Sequence, residues 1–244
     1  MRLIVFIGCI FVAAWAEAAE IRIASASNFY PTLSKIKKAF EISSEHRVII
    51  IRGSTGKLYA QIINGAPYDI FLSADSDRTD KLAALGKADR DETIVYAIGQ
   101  LAVWNPKAVN VQQIRQQLIN NDVKKLAVAN PKTAPYGKAA IETLKSMGIY
   151  DTLKGKLVYG ENISQTLQFV ESGAADIGFV ARSHMKNRVD ESQYWNIPED
   201  HHQPIEQKML LIKNIKNINA ARSFINFMQT EEIKNIIRND GYQL

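Results

Sequence analysis

The segment Arg52–Asp75, R-G-S-T-G-K-L-Y-A-Q-I-I-N-G-A-P-Y-D-I-F-L-S-A-D, twice sets glycine or small hydroxyl-bearing residues where a strand hands over to a helix. A strand-to-helix corner of this kind exposes backbone N–H groups that have no partner inside the helix. Such amides, a Ser or Thr hydroxyl and roughly half a unit of positive charge from the helix dipole suffice to hold an anion. The chemistry needs neither acid, base nor metal. A comparable corner, Ala24-Ser25-Ala26-Ser27-Asn28, follows the short apolar strand Ile21-Arg22-Ile23. Taken singly, each Ser or Thr reads as an ordinary helix cap; together the corners suggest an oxyanion clasp.

Other chemistries find less support. Gly53-Ser54-Thr55-Gly56-Lys57 departs from a Walker A loop, because Ile51 stands where that motif needs its first glycine and Leu58 where it needs Ser or Thr. No Gly-x-Ser-x-Gly elbow is present for a serine hydrolase. His201 and His202 are adjacent and lack the i,i+4 spacing or cysteines of a metal site, and His46 and His184 are isolated. Cys9, the only cysteine, lies in the first residues and is discarded with them, leaving no thiol chemistry.

Positioning these corners requires alternating strands and helices, and the chain supplies them from end to end, an α/β pattern with largely parallel strands. Ile21–Ala24 reads as a strand, with Ser27 or Asn28 placed to cap a helix through Leu33, Ile36 and Phe40 whose first turn contains Pro31. Val48–Ile51 and Tyr68–Leu72 read as buried strands, and helices over Lys57–Asn64 and Arg78–Leu85 stop at Gly65 and Gly86. Ala97–Trp104 reads as one longer apolar strand carrying the chain into another lobe. The alternation then restarts with strand Leu126–Ala129, the loop Asn130–Gly137, helix Lys138–Met147, strand Lys156–Tyr159, helix Ile163–Glu171 and strand Asp176–Val180. Met209–Ile212 suggests a return strand, and helices Ala220–Met228 and Glu231–Arg238 close the chain.

Arg2, the apolar run Leu3–Trp15 and the small-x-small sequence Ala16-Glu17-Ala18 read as an export signal over residues 1–18, cleaved near Ala18. The apolar run is shorter than the roughly 20 residues of a membrane span. About 225 of the 244 residues then remain, enough for one large or two small domains. The formal net charge of +5 mildly favours anionic ligands. Lysines and arginines are scattered among acids without a long basic tract or an aromatic platform, so nucleic acid is not expected as a partner.

Five segments in order, A-S-A-S-N, G-S-T-G-K-L-Y-A-Q-I, G-A-P-Y-D-I-F-L-S-A-D, N-P-K-T-A-P-Y-G-K-A-A and G-E-N-I-S-Q-T, give the chain its resemblance to a known family. It resembles the periplasmic molybdate-binding proteins of ABC transporters, the ModA family, over essentially the whole mature sequence. The resemblance implies the type II periplasmic binding protein fold: two α/β lobes, a ligand cleft between them and two hinge crossings. It places residues 20–96 and 206–244 in one lobe and 97–205 in the other.

It also implies a ligand set: Ser27 through hydroxyl and amide, Thr55 likewise, the amide of Ala74, and from the second lobe the amides of Tyr136 and Ile163. Ser54 replaces Thr55 if the corner is shifted by one. Well-known members carry a tyrosine hydroxyl where this chain has Ala181, in Gly178-Phe179-Val180-Ala181, so one donor is missing and a water or the Tyr136 phenol is expected to cover that oxygen. The implied protein is a non-enzymatic, periplasmic monomer with no cofactor, which binds molybdate and tungstate and delivers them to a membrane permease.

The donor chemistry agrees with this implication. Molybdate, tungstate and sulfate carry no proton near neutral pH and need only donors, whereas phosphate keeps a proton and rewards an acceptor. Asp75 adjoins the donor corner and would repel a dianion, unless it caps the helix that begins near Asp77. Rival readings are a binding protein for sulfate or another tetrahedral oxyanion, a sensor subunit, and an exported hydrolase or transferase on the same fold, which would need a base beside one of the hydroxyls.

Overall fold

The computed structural model describes residues 18–244; the expected export signal, Cys9 included, lies outside them except for Ala18. The chain opens with β1 (Glu20–Ala26), α1 (Tyr30–Ser43), β2 (Arg47–Gly53), α2 (Thr55–Ile63), β3 (Ile70–Ser73), α3 (Ser76–Ala84) and β4 (Ile94–Gly99). It continues with β5 (Leu101–Trp104), α4 (Val111–Ile119), β6 (Leu126–Ala129), α5 (Pro135–Ser146), α6 (Tyr150–Leu153), β7 (Leu157–Gly160), α7 (Ile163–Glu171), β8 (Ile177–Ala181), α8 (Arg182–Met185) and β9 (Tyr194–Asn196). It returns through β10 (Ile205–Leu211) to α9 (Ile218–Met228) and α10 (Glu231–Asn239).

The strands form two five-stranded sheets, ordered β2-β1-β3-β10-β4 and β7-β6-β8-β5-β9. Each has the same plan: three parallel strands, then one antiparallel strand, then an edge strand antiparallel to that. The helices of the parallel units cover the sheet faces, making two α/β lobes. Because β1 and β6 are each flanked by the strands that follow them in sequence, the chain order reverses at their carboxyl ends. Ligands of open α/β sheets settle at such switch points.

Hydrophobic spacing explains the helices. Leu33, Ile36 and Phe40 of α1 and Ile233 and Ile237 of α10 recur at helical intervals and are fully or nearly fully buried in the core of the first lobe. Phe40 meets Phe224 of α9 edge-on, with ring centroids 5.0 Å apart. In the second lobe Val103, Leu126, Val128 and Phe179 form the floor on which α5 lays Ala140 and Leu144.

Three expectations need correction. The apolar run expected as one strand, Ala97–Trp104, is two strands in different sheets. Ile98 exchanges backbone hydrogen bonds with Gln243 and Gly99 is paired with Ile205 in the first sheet, whereas Leu101 pairs with Ala181 in the second. The first crossing therefore lies at Gln100, later than the expected boundary after residue 96, and Ile205 already belongs to the first sheet on return. Neither Ser27 nor Asn28 caps α1: Phe29 occupies the cap position, with no side-chain hydrogen bond.

Candidate functional site

Four corners meet between the lobes: residues 26–28 after β1, 53–55 after β2, 134–136 before α5 and 162–163 before α7. They line a small cavity, about 190 Å³ when the space open to solvent is counted, and none of its lining residues is charged. The amino-terminal ends of α2, α5 and α7 all face it, so three helix dipoles present their positive ends to one point.

Which donors are free follows from what each corner already does. Asn162 caps α7 by accepting from Ser164 and Gln165 amides at 3.0 and 3.1 Å, which leaves the Ile163 N–H uncommitted. α5 begins with Pro135, which has no N–H, so the next amide, that of Tyr136, is the first donor of that helix to reach the cavity. At the head of α2, Ser54 sits in the cap position but makes no cap hydrogen bond, and its buried Oγ has no partner among the described residues. A buried hydroxyl without a partner is costly unless a ligand satisfies it. The amides of Asn28, Thr55, Tyr136 and Ile163 likewise have no acceptor among the described residues.

The structure brings Ser27, Thr55, Tyr136 and Ile163 to the cavity; the amides of Tyr136 and Ile163 are free there, whereas the parts open to Ser27 and Thr55 change. The Ser27 N–H donates to Gly53 O at 3.0 Å, so only its hydroxyl, which has no hydrogen bond among the described residues, is free. Thr55 Oγ1 accepts from the Ala74 N–H at 3.2 Å. That bond removes the Ala74 amide from the donor set; Ala74 stands behind Thr55 instead of lining the cavity. Ser54, the alternative that the sequence left open, lines the cavity beside Thr55 with its hydroxyl unpartnered.

Asn28 is the donor that sequence reasoning missed. Its side chain is tied back into the first lobe: Nδ2 donates to Gln207 Oε1 at 2.8 Å and to Tyr242 Oη at 3.1 Å, while Tyr242 Oη donates to Asn28 O at 2.9 Å. Those three bonds hold the loop, whose Asn28 lines the cavity with its amide uncommitted. The only signal in the sequence was its place immediately after Ser27; its anchors are far away along the chain.

Ala181, where the missing tyrosine would stand, is fully buried and paired with Leu101. The Tyr136 hydroxyl lies against Gly99, where an added Cβ would be 2.2 Å from it, and like Ser54 Oγ it is buried with no partner among the described residues. Burial pushes the phenols of Tyr136, Tyr96 and Tyr242 well up, so all three stay protonated. His184, on α8 behind the Ser27–Asn28 loop, is 2% exposed, and neither ring nitrogen closes a hydrogen bond. Burial, aided by Arg188, lowers its pKa to about 4, an effect that the neighbouring carbonyls of Ser27 and Asn28 only partly offset. It is therefore a neutral imidazole near pH 7.

Asp75 does cap a helix: its Oδ1 accepts from the Arg78 N–H at 3.0 Å at the head of α3, and its other oxygen pairs with the Arg78 guanidinium. The carboxylate is outside the cavity lining. Among the described residues no group of three or more His, Cys, Asp or Glu is arranged to hold a metal ion.

Residues 21–243 match the family model described as bacterial extracellular solute-binding protein. The chain is 37% identical, over its full length and 97% of the relative, to the molybdate-binding protein ModA of Azotobacter vinelandii. It is also 37% identical to the molybdate-binding protein ModA of Rhodobacter capsulatus, over 93% of this chain and 89% of the relative. The solved structure of the Azotobacter vinelandii periplasmic molybdate-binding protein superposes with a TM-score of 0.86 at 33% identity, covering 92% of this chain and 99% of that one. The chain belongs to the ModA family of bacterial extracellular solute-binding proteins.

Proposed function

We propose that this protein captures molybdate between its two lobes and delivers it to the permease of an ABC transporter. One observation carries the reading: a cavity without charged side chains, facing three helix amino-termini, with unsatisfied donors converging from both lobes. The names of the relatives that are 37% identical over nearly the whole chain support molybdate as the anion.

The ligand set is the hydroxyls of Ser27 and Ser54 with the amides of Asn28, Thr55, Tyr136 and Ile163. Thr55 Oγ1 remains able to give its own proton while accepting from Ala74. Neutral donors match a fully ionised tetrahedral oxyanion, and tungstate, of the same charge and shape, binds with molybdate. A protonated phosphate offers a donor that this lining answers with no carboxylate, so it is bound less well.

Capture is a two-state event: donors of one lobe hold the anion weakly, and rotation about the crossings at Gln100 and 197–204 brings up the second set. The anion favours the closed form because only that form offers both sets. The protein is a binding protein, like its relatives, and not an enzyme; the anion is cargo and no cofactor takes part. It acts as a periplasmic monomer after cleavage near Ala18, with the permease and not nucleic acid as its macromolecular partner.

Isothermal titration of the anion-stripped mature protein with molybdate, tungstate, sulfate and phosphate tests the reading. Saturable one-to-one binding of molybdate and tungstate, much tighter than of the other two, is expected. Preference for sulfate or phosphate, or no binding of molybdate, would overturn it.

A further inference from the structure

Two donors of the first lobe reach a turn of the second at a place that does not face the cavity. The turn, Asn130–Ala134, is braced internally: Thr133 and Ala134 amides donate to Asn130 O at 3.1 and 2.8 Å, and the Lys132 amide to Asn130 Oδ1 at 3.0 Å. It therefore moves as one piece with the start of α5, whose Tyr136 amide enters the ligand set. Gly56, the second residue of α2, donates its N–H to Thr133 O at 2.8 Å, and Arg78 Nη2 donates to Lys132 O at 3.0 Å.

The Arg78 head is held for this task. Asp75 accepts from both the backbone N–H and the guanidinium of Arg78, so one carboxylate fixes the residue at two points. Both side chains are about four-fifths buried, which shields the pair from water. Gly56 answers a steric demand: a Cβ there would lie 3.0 Å from Thr133 Cα, 3.1 Å from Thr133 O and 3.0 Å from Arg78 Nη2.

We propose that Asp75, Arg78 and Gly56 form a closure clamp, positioning residues that grip the 130–133 turn and set how long the anion stays bound without touching it. The proposal rests on the reading that the anion lies between the lobes. The bonds from Gly56 and Arg78 exist only when the lobes are together and are replaced by water when they part. They therefore slow opening while leaving the first encounter with the anion alone, so their removal acts on dissociation. The acid that would repel a dianion in the donor corner is neutralised by the arginine that closes the door.

Two variants test the clamp by rapid-dilution release of molybdate, alongside the melting temperature of the anion-free protein. Arg78→Met keeps the aliphatic stem and the backbone N–H that Asp75 caps, but removes the donor. Dissociation is expected to quicken about tenfold, the worth of one hydrogen bond from a charged group, with association nearly unchanged and the melting temperature lowered further with the anion than without it, where only the Asp75 pair is lost. Gly56→Ala is expected to quicken dissociation too, while the anion-free melting temperature holds or rises, because alanine is the better helix residue where no contact opposes it. Unchanged dissociation in both variants would overturn the clamp. So would a melting temperature that falls as far without the anion as with it, which marks a merely structural role. Ser54→Ala in the same assay separates the two readings: if it weakens binding while Arg78→Met leaves release untouched, the site stands and the clamp falls; if it leaves binding intact, the site reading itself fails.

Discussion

Replacing Ser54 and Thr55 one at a time separates two neighbouring hydroxyls that the sequence alone could not tell apart. Ser54 Oγ is buried, makes no cap and has no partner among the described residues, so in the anion-free protein Ser54→Ala removes nothing that is bonded. Anion-free stability should change by no more than about 0.5 kcal/mol, a degree or two in melting temperature. With the anion present, one hydrogen bond to a dianion is lost, about 1.5–3 kcal/mol, which corresponds to roughly 10- to 100-fold weaker binding. Thr55→Val behaves in the opposite sense. It strips the acceptor from the Ala74 N–H, and Ala74 is 1% exposed, so a buried amide is left unpaired. The anion-free protein should lose about 1–3 kcal/mol, or roughly 2–12 °C at about 2–4 °C per kcal/mol. Calorimetric titration with molybdate and thermal unfolding of the same samples measure both quantities. Full affinity in Ser54→Ala, or a Thr55→Val protein as stable as the parent, would refute the assignment of donors made here.

Three further predictions concern the frame around the site. Gly99→Ala drives a methyl into the Tyr136 hydroxyl at 2.2 Å and against Gln207 Nε2 at 3.0 Å, so it should lower the melting temperature, an overpacking cost of about 1–3 kcal/mol, and Gly99→Ala with Tyr136→Phe should recover part of it. Asn162→Ala removes the acceptor of the Ser164 and Gln165 amides and should cost about 1 kcal/mol by urea unfolding. His184 sets an acid limit: its folded pKa of about 4 lies below the ordinary value of 6.5, so the unfolded chain binds the extra proton between them. Its contribution to stability is intact above about pH 6.5 and declines as pH falls toward about 4, by about 3 kcal/mol at most. A melting-temperature profile from pH 7.5 to 4.5 should therefore be flatter in His184→Gln than in the parent; identical slopes would contradict the buried neutral imidazole.

The elements that position the site were legible because they obey local rules. Ile163–Glu171 was readable to the residue, since Asn162 caps it, its apolar positions recur at helical spacing and Gly173, at φ +73°, follows its end. The bounds of β6 were equally plain, a short apolar run closed by Asn130-Pro131. The break at Gln100 was not, because β5 is buried along its whole length inside its sheet and β4, although an edge strand, does not alternate clearly between apolar and polar faces. Only long-range pairing, with Gln243 and Ile205 on one side and Ala181 on the other, divides that run.

Within the site, residue types announced a donor corner but not which donors were already in use. Ser27 N–H is taken by Gly53 O, and Ala74 N–H by Thr55 Oγ1, both contacts between segments distant in sequence. Asn28 could not be recognised as a ligand because Gln207 and Tyr242, which orient it, come from the opposite end of the chain. The clamp was hidden for the same reason: Gly56 reads as part of a hydroxyl corner until Thr133 is seen against it.

The most direct test of the central claim is anomalous X-ray diffraction from crystals of the mature protein grown with molybdate. One strong molybdenum peak is expected in the cavity between Ser27, Ser54, Tyr136 and Ile163, with oxygens within hydrogen-bond distance of those donors and of the Asn28 amide. No peak there, or a peak only in the basic groove beside Lys87, Lys213 and Lys216 at the far end of the first lobe, would contradict it.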